Sequence, residues 1–140
     1  MECPLCVADR DDLIWQDGHC HVIAANDTAY PGYFRVVWKE HIAEMSDLGI
    51  FARHHFMDVV FAVESSLRAL MNPDKINLAS LGNQVPHLHW HVIARFADDR
   101  HFPESIWALE QRRAPARAAP ERVALAARID AELARISIAR

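Results

Sequence analysis

Two hydrophobic periods run through the chain, and the places where one gives way to the other divide it into elements. Over residues 87–93 every second position is histidine, and Leu88, Trp90 and Val92 fill the gaps. A strand sends successive side chains to opposite faces, so this stretch predicts a strand with one imidazole face and one core face. Residues 12–25 read as two short strands about Gln16-Asp17-Gly18, since Asp-Gly between apolar runs is a hairpin signal. Leu13, Trp15, Val22 and Ile23 are the apolar partners there, with His19 and His21 expected on the exposed side. Residues 26–32 are polar and contain Pro31-Gly32, hence a loop. Residues 33–38, β-branched and aromatic, predict a third strand, and 75–81 a fourth ahead of the histidines. Between them Leu48, Phe51, Phe56, Val59, Val63, Leu67 and Leu70 recur at three- and four-residue spacing. That period predicts an amphipathic helix over 47–71, capped by Ser46 and stopped by Asn72-Pro73. His54 and His55 fall on it as surface or boundary residues. A second helix is expected over 121–138, with Val123, Ala127, Ile129, Leu133 and Ile136 on one side. Three strands, a helix, two strands and a helix predict an α+β fold: an antiparallel sheet of about five strands with one long central helix and a C-terminal helix.

Composition narrows the setting. A chain of 140 residues is expected to form one domain with a real core. The Ala/Pro/Arg run over 114–120 divides it into residues 1–112 and a linker with helical extension at 113–140. No run approaches the ~20 apolar residues of a membrane span. Met1-Glu2-Cys3-Pro4 lacks the start of a secretion signal. The net charge of −4 argues against a nucleic-acid surface, though a pocket for one nucleotide remains compatible with it. Three cysteines, an odd number, point to a reducing cytoplasm and to metal or free thiols rather than disulfides.

Three histidines on one strand face pack poorly, so the stretch calls for chemistry. Residues two apart on a strand are about 6.8 Å apart and residues four apart about 13 Å, too far for all three to share one ion easily. A nucleophilic imidazole with flanking histidines that orient it and move protons tolerates that spread. Cys3-Pro4-Leu5-Cys6 is half of a zinc site, a redox pair or chance. Redox pairs sit at strand-to-helix junctions, and this one lies at a terminus, which favours zinc; a tetrahedral site then needs two more ligands.

The stretch His87-Leu88-His89-Trp90-His91-Val92-Ile93 resembles the histidine-triad (HIT) motif, in which three histidines alternate with apolar residues. Gly82-Asn83-Gln84-Val85 resembles the family's Gly-Gln-Ser/Thr-Val approach to the first histidine, and Arg35-Val36-Val37-Trp38-Lys39-Glu40-His41 its Leu-Val-Ile-Pro-Lys-x-His strand end. Phe102-Pro103-Glu104-Ser105-Ile106-Trp107 is similar to an aromatic segment that follows the motif in some bacterial members; Trp107 is expected in the core, with a pocket wall as the alternative.

The resemblance implies His89 as nucleophile on the α-phosphorus of a nucleoside 5′-phosphate derivative. His91 would bind the phosphate and serve the leaving group, and His87 completes the triad. It implies Asn77, Asn83 and Gln84 near the phosphate, and Asp27 or Asn26 on the ribose, although Asn and Asp also cap turns on their own. It implies a structural zinc on Cys3, Cys6, His41 and His87, which would withdraw His87 from direct chemistry, and no catalytic cofactor. The substrate would be a purine phosphoramidate or dinucleoside polyphosphate, as in the bacterial Hint-like group, and the protein a twofold homodimer. Tyr33 stands where the family often has a further histidine. A nucleotide-binding module without turnover, or a hydrolase using the triad as metal ligands, are the alternatives.

Overall fold

The computed structural model describes residues 2–7 and 10–139. Five strands, β1 (Leu13–Gln16), β2 (Cys20–Ala24), β3 (Tyr33–Trp38), β4 (Lys75–Ala79) and β5 (His89–Arg95), form one sheet in the order β1-β2-β3-β5-β4. Every neighbouring pair is antiparallel. The helices are α1 (Ile50–Met71) and α2 (Arg122–Ala139). The fold is the expected α+β arrangement, a single domain. Among the described residues no helix is long and apolar enough to cross a membrane.

Alternation along the strands divides the sheet into two faces. Cys20 and Val22 of β2, Phe34, Val36 and Trp38 of β3, and Val92 and Ala94 of β5 meet Phe56, Val59, Val63 and Leu67 of α1 in one core. Leu125 and Ile129 of α2 are fully buried in the same core. Burying one such aliphatic side chain is worth about 1.5–3 kcal/mol, so α2 is part of the fold's support rather than an appendage. The opposite face carries His21, Ile23, Tyr33, Arg35, Val37, His89, His91 and Arg95.

Several elements start or face differently from the sequence reading. α1 begins at Ile50, not 47; its N-cap is Gly49, without a side-chain cap. Ser46 lies in a preceding 3-10 turn, Met45–Asp47, which the backbone N–H of Glu44 closes by donating to Asp47 Oδ2 at 3.2 Å. Asn72 ends α1 in the left-handed conformation (φ 48), before Pro73. Val123 is 82% exposed, because Leu125 and Ile129 set the buried stripe of α2. β4 stops at Ala79 rather than 81.

β5 begins at His89, so the first histidine precedes the regular strand. It stays registered all the same: Trp38 N–H donates to Leu88 O at 3.1 Å, and Leu88 N–H to Ile42 O at 2.8 Å. His21, expected outside, is 7% exposed, because Leu5, Ile23 and Val37 pack together on that face beneath the N-terminal segment. Its Nε2 has no partner among the described residues, and burial first, then the Arg10 and Lys39 charges, push its pKa down to about 4. Arg95, the first residue of the polar and charged run 95–100, is nevertheless 2% exposed. Its Nε and Nη2 donate to Asp99 at 2.7 and 3.1 Å. Gly32 brings the chain into β3 so closely that a Cβ there would lie 2.7 Å from Ala94 Cβ and Met71 Sδ.

Candidate functional site

Antiparallel pairing sets the site. Val37 stands opposite His89, and Arg35 opposite His91, on the face away from the helices. His89 donates from Nδ1 to the carbonyl of His87 at 2.6 Å. That bond fixes the tautomer and leaves Nε2, with its lone pair, as the ring nitrogen available to the cavity. Burial first, and then the Arg35 charge, lower the pKa of His89, while the bond to the carbonyl raises it, so the ring is neutral near pH 7.

His91 is held differently. The Tyr33 hydroxyl donates to its Nδ1 at 2.6 Å, which directs the proton of the neutral ring to Nε2. Burial, then His89 and Arg35, push its pKa down to about 4. Burial likewise raises the pKa of Tyr33, so its hydroxyl keeps its proton. The His89 and His91 rings meet edge to face with centroids 4.9 Å apart, and Trp107 lies 5.2 Å beyond His91. A cavity of about 510 Å3 opens over both histidines; Asn83, Gln84, Tyr33, Arg35 and Trp107 are among its walls.

His87 is not in that cavity. It is fully buried and turned toward the N-terminal cysteines. Its Nδ1 lies 3.5 Å from Cys3 Sγ, 3.4 Å from Cys6 Sγ and 3.1 Å from His41 Nδ1, and Cys6 Sγ lies 3.2 Å from His41 Nδ1. A tetrahedral zinc with bonds of about 2.3 Å to sulfur and 2.0–2.1 Å to nitrogen needs ligand separations of roughly 3.3–3.8 Å, close to these. His87 Nε2 donates to Trp38 O at 2.5 Å, so Nδ1 is the lone-pair nitrogen, as a ligating histidine requires. Cys3, Cys6, His41 and His87 therefore fit a structural zinc in number, chemistry and spacing. A second trio, Asp17, Cys20 and His55, also comes together. There Asp17 Oδ1 accepts the backbone N–H of His19 and Cys20, and Oδ2 pairs with His55 at 2.6 Å, the bonding of a hairpin turn.

The remaining sequence candidates separate. Asn83 and Gln84 wall the cavity. Asn77 lies on the same face of β4, opposite Ile93, but its Oδ1 accepts from Arg95 Nη1 at 2.7 Å. Asn26 and Asp27 line a neighbouring hollow of about 340 Å3 that shares Tyr33 with the first. Asn26 is left-handed there (φ 56), and Asp27 Oδ1 caps Ala29 N–H at 2.9 Å. Tyr33, Arg35 and Trp107 stand in the site though the sequence reading gave them no role or a core one. The alternation Tyr33-x-Arg35-x-Val37 beside a histidine strand was the signal for the first two. Trp107 is 52% exposed, a pocket wall rather than core.

The chain and its fold are similar to those of known proteins. A profile of the HIT domain matches residues 8–98. Among solved structures, a histidine triad protein from Sinorhizobium meliloti 1021 is 29% identical, with a TM-score of 0.68 over 86% of this chain and 90% of its own. One from Bradyrhizobium japonicum is 28% identical, with a TM-score of 0.66 over 89% of this chain and 90% of its own. A Zn-bound histidine triad family protein from Mycobacterium smegmatis shares the fold at 20% identity, with a TM-score of 0.59 over 94% of this chain and 90% of its own. No curated protein sequence matches the chain.

Proposed function

The chain belongs to the histidine-triad family, whose members are nucleotide-binding hydrolases or transferases, and from that premise we propose that it hydrolyses a nucleoside 5′-phosphate derivative at the α-phosphorus. The observation that carries this reading is the tie from His89 Nδ1 to the His87 carbonyl, which frees Nε2 of a neutral imidazole toward the cavity. Nε2 attacks phosphorus, the bond to the leaving group breaks, and a nucleotidyl-histidine remains. His91 hydrogen-bonds the phosphoryl oxygens through Nε2–H. An anionic substrate raises its proton affinity, so that His91 takes up a solvent proton on Nδ1 as the substrate binds, the Tyr33 hydroxyl turning to accept it; the imidazolium gives its Nε2 proton to the departing atom and ends neutral. Water then attacks phosphorus, His91 recovers the proton, the P–N bond breaks, and the nucleoside monophosphate leaves.

The Asn83 and Gln84 amides are the donors for charge building on the phosphoryl oxygens. Asn77 supports them while held by Arg95. Asp27, with Asn26, receives the ribose hydroxyls of a purine nucleotide at the edge where the two hollows share Tyr33. The leaving group is an amine of a phosphoramidate or the rest of a dinucleoside polyphosphate. Cys3, Cys6, His41 and His87 hold zinc, which when bound supplies cross-linking of the N-terminal segment to the catalytic strand and no chemistry at phosphorus. Both nitrogens of His87 are engaged outside the cavity, which speaks against the triad as a three-ligand catalytic metal site. The protein works as a homodimer in the cytoplasm.

The test is rapid acid quenching with adenosine 5′-phosphoramidates of simple amines, followed by peptide mapping. The reading expects a nucleotidylated peptide containing His89, and loss of turnover and of adduct in His89→Ala that still binds adenosine monophosphate. No adduct and no turnover in the wild type, with monophosphate binding intact, would leave a binding module instead. Turnover that stops at once on chelation, with the fold intact, would place a metal in the chemistry.

A further inference from the structure

Two arginines and no carboxylate stand among the described residues that wall the triad cavity. They are not equivalent. Arg10 is neutralised: Nε and Nη2 donate to Asp12 at 2.8 and 3.0 Å, and Nη1 to Pro4 O at 2.6 Å. Arg35 has no ion pair among the described residues. Its one hydrogen bond there is a long one, Nη2 to the Tyr33 hydroxyl oxygen at 3.4 Å. The guanidinium lies over the Tyr33 ring, 5.1 Å from its centre, and this contact fixes its position while leaving most of its five donors unused.

A half-buried guanidinium beside two neutral histidines raises the local potential. It is one reason that both His89 and His91 resist protonation. Nothing in the packing calls for such a charge, because the same face is filled by Val37 one step along β3 and by Ile93 on β5. The position is informative. Arg35 is the cross-strand partner of His91, the residue that serves the leaving group, whereas the partner of His89 is the uncharged Val37. The positive charge is therefore displaced from the point of attack toward the departing side, where directly opposed side chains are about 5 Å apart at Cβ.

We propose that Arg35 is a specificity-determining residue that favours substrates whose leaving group carries a negative charge, phosphate or carboxylate, beyond the α-phosphate. This rests on the hydrolase reading of the site. A planar guanidinium takes either oxyanion through two parallel N–H donors, and its positioning on Tyr33 lowers the ordering cost.

A matched pair of adenosine phosphoramidates, of glycine and of glycinamide, differs only in a carboxylate on the leaving amine. Calorimetric titration with adenosine diphosphate and monophosphate is the phosphate arm. The wild type is expected to prefer the charged member by about tenfold in one arm or both, the worth of one charge-assisted contact; the arm that responds names the anion. Arg35→Met should bring the ratio to near one, and Arg35→Lys should keep part of it. Arg35→Gln, which retains polarity without charge, is the second neutral variant should Met impair folding. The proposal is overturned if the wild type shows no preference in either arm, if the preference survives in both neutral variants, or if these lose both members of each pair equally, which would put Arg35 on the α-phosphate. A wild type that turns over neither phosphoramidate would defeat the hydrolase reading alone, since the calorimetric arm still reports on Arg35.

Discussion

Tyr33→Phe removes one oxygen atom and tests how His91 is aimed. Tyr33 is 5% exposed and His91 7%, so water does not replace the lost hydroxyl freely. The bond removed is short, 2.6 Å, and its loss leaves Nδ1 of His91 without its donor. An unsatisfied buried acceptor costs about 1–3 kcal/mol, partly as stability and partly as freedom of the ring to turn or change tautomer. If most of that appears in the transition state, where His91 must present Nε2–H to the phosphoryl oxygens and the departing atom, the rate falls roughly five- to 150-fold. The loss should fall on kcat, with KM changed little, because the hydroxyl is already engaged by His91 and Arg35. Steady-state hydrolysis of an adenosine phosphoramidate, with a urea melt of each variant, reads both quantities. Tyr33→His offers a nitrogen from the same strand position and should recover part of the rate. A Phe variant with wild-type kcat and stability would refute the idea that this hydroxyl holds the ring.

Other predictions concern the supports of the site. Chelation, or Cys6→Ser, should lower the melting temperature by roughly 10 °C or more, with loss of one equivalent of zinc by elemental analysis, since each kcal/mol moves Tm by about 2–8 °C in a domain of this size; wild-type melting in the zinc-free protein would contradict it. His21 and His91 are pushed down to about 4, so the unfolded chain binds more protons than the folded one between pH 6.5 and 4. Stability is thus full above pH 6.5, falls as pH drops toward 4 and levels off below; each group contributes at most about 3 kcal/mol. Denaturant melts from pH 7.5 to 4.5 should show a shallower decline in His21→Leu than in the wild type, and parallel curves would count against it. Ile129→Ala should cost about 2–5 kcal/mol of stability by opening a cavity against α1, measured by urea melts, with kcat of the remaining folded protein retained.

The features legible in the chain were those with a local pattern. The period-two histidines, the Asp-Gly hairpin, the helical period of α1 and the paired cysteines each carry their signal within a few residues. What was not legible depended on partners distant in sequence. His21 alternates like a solvent-facing residue, and only the packing of Leu5 on Ile23 and Val37 buries it. Arg95 resembles the start of a charged loop until Asp99, Asn77 and the Glu104 carbonyl gather around it. Trp107 has the composition of core but projects over His91 from a segment without regular structure. Ser46 is a good cap that the chain does not use, since a 3-10 turn comes before the helix. Arg35 and Tyr33 could have been found by carrying the alternation across to the neighbouring strand, because antiparallel register places them beside the triad.

The closing of α2 over α1 bears on how the protein is made. Trp15 Nε1 donates to Asp130 at 2.8 Å, and Arg122 Nη1 to the Asp11 carbonyl at 2.6 Å, so the first hairpin is fastened by residues translated more than a hundred positions later. A ribosome-bound chain can already have every residue of the phosphate chemistry outside the exit tunnel while the groove that receives Leu125 and Ile129 stands bare. Released chains truncated ahead of residue 122 should therefore be held by chaperones and digested readily by protease, and resistance should return when residues 122–139 are restored.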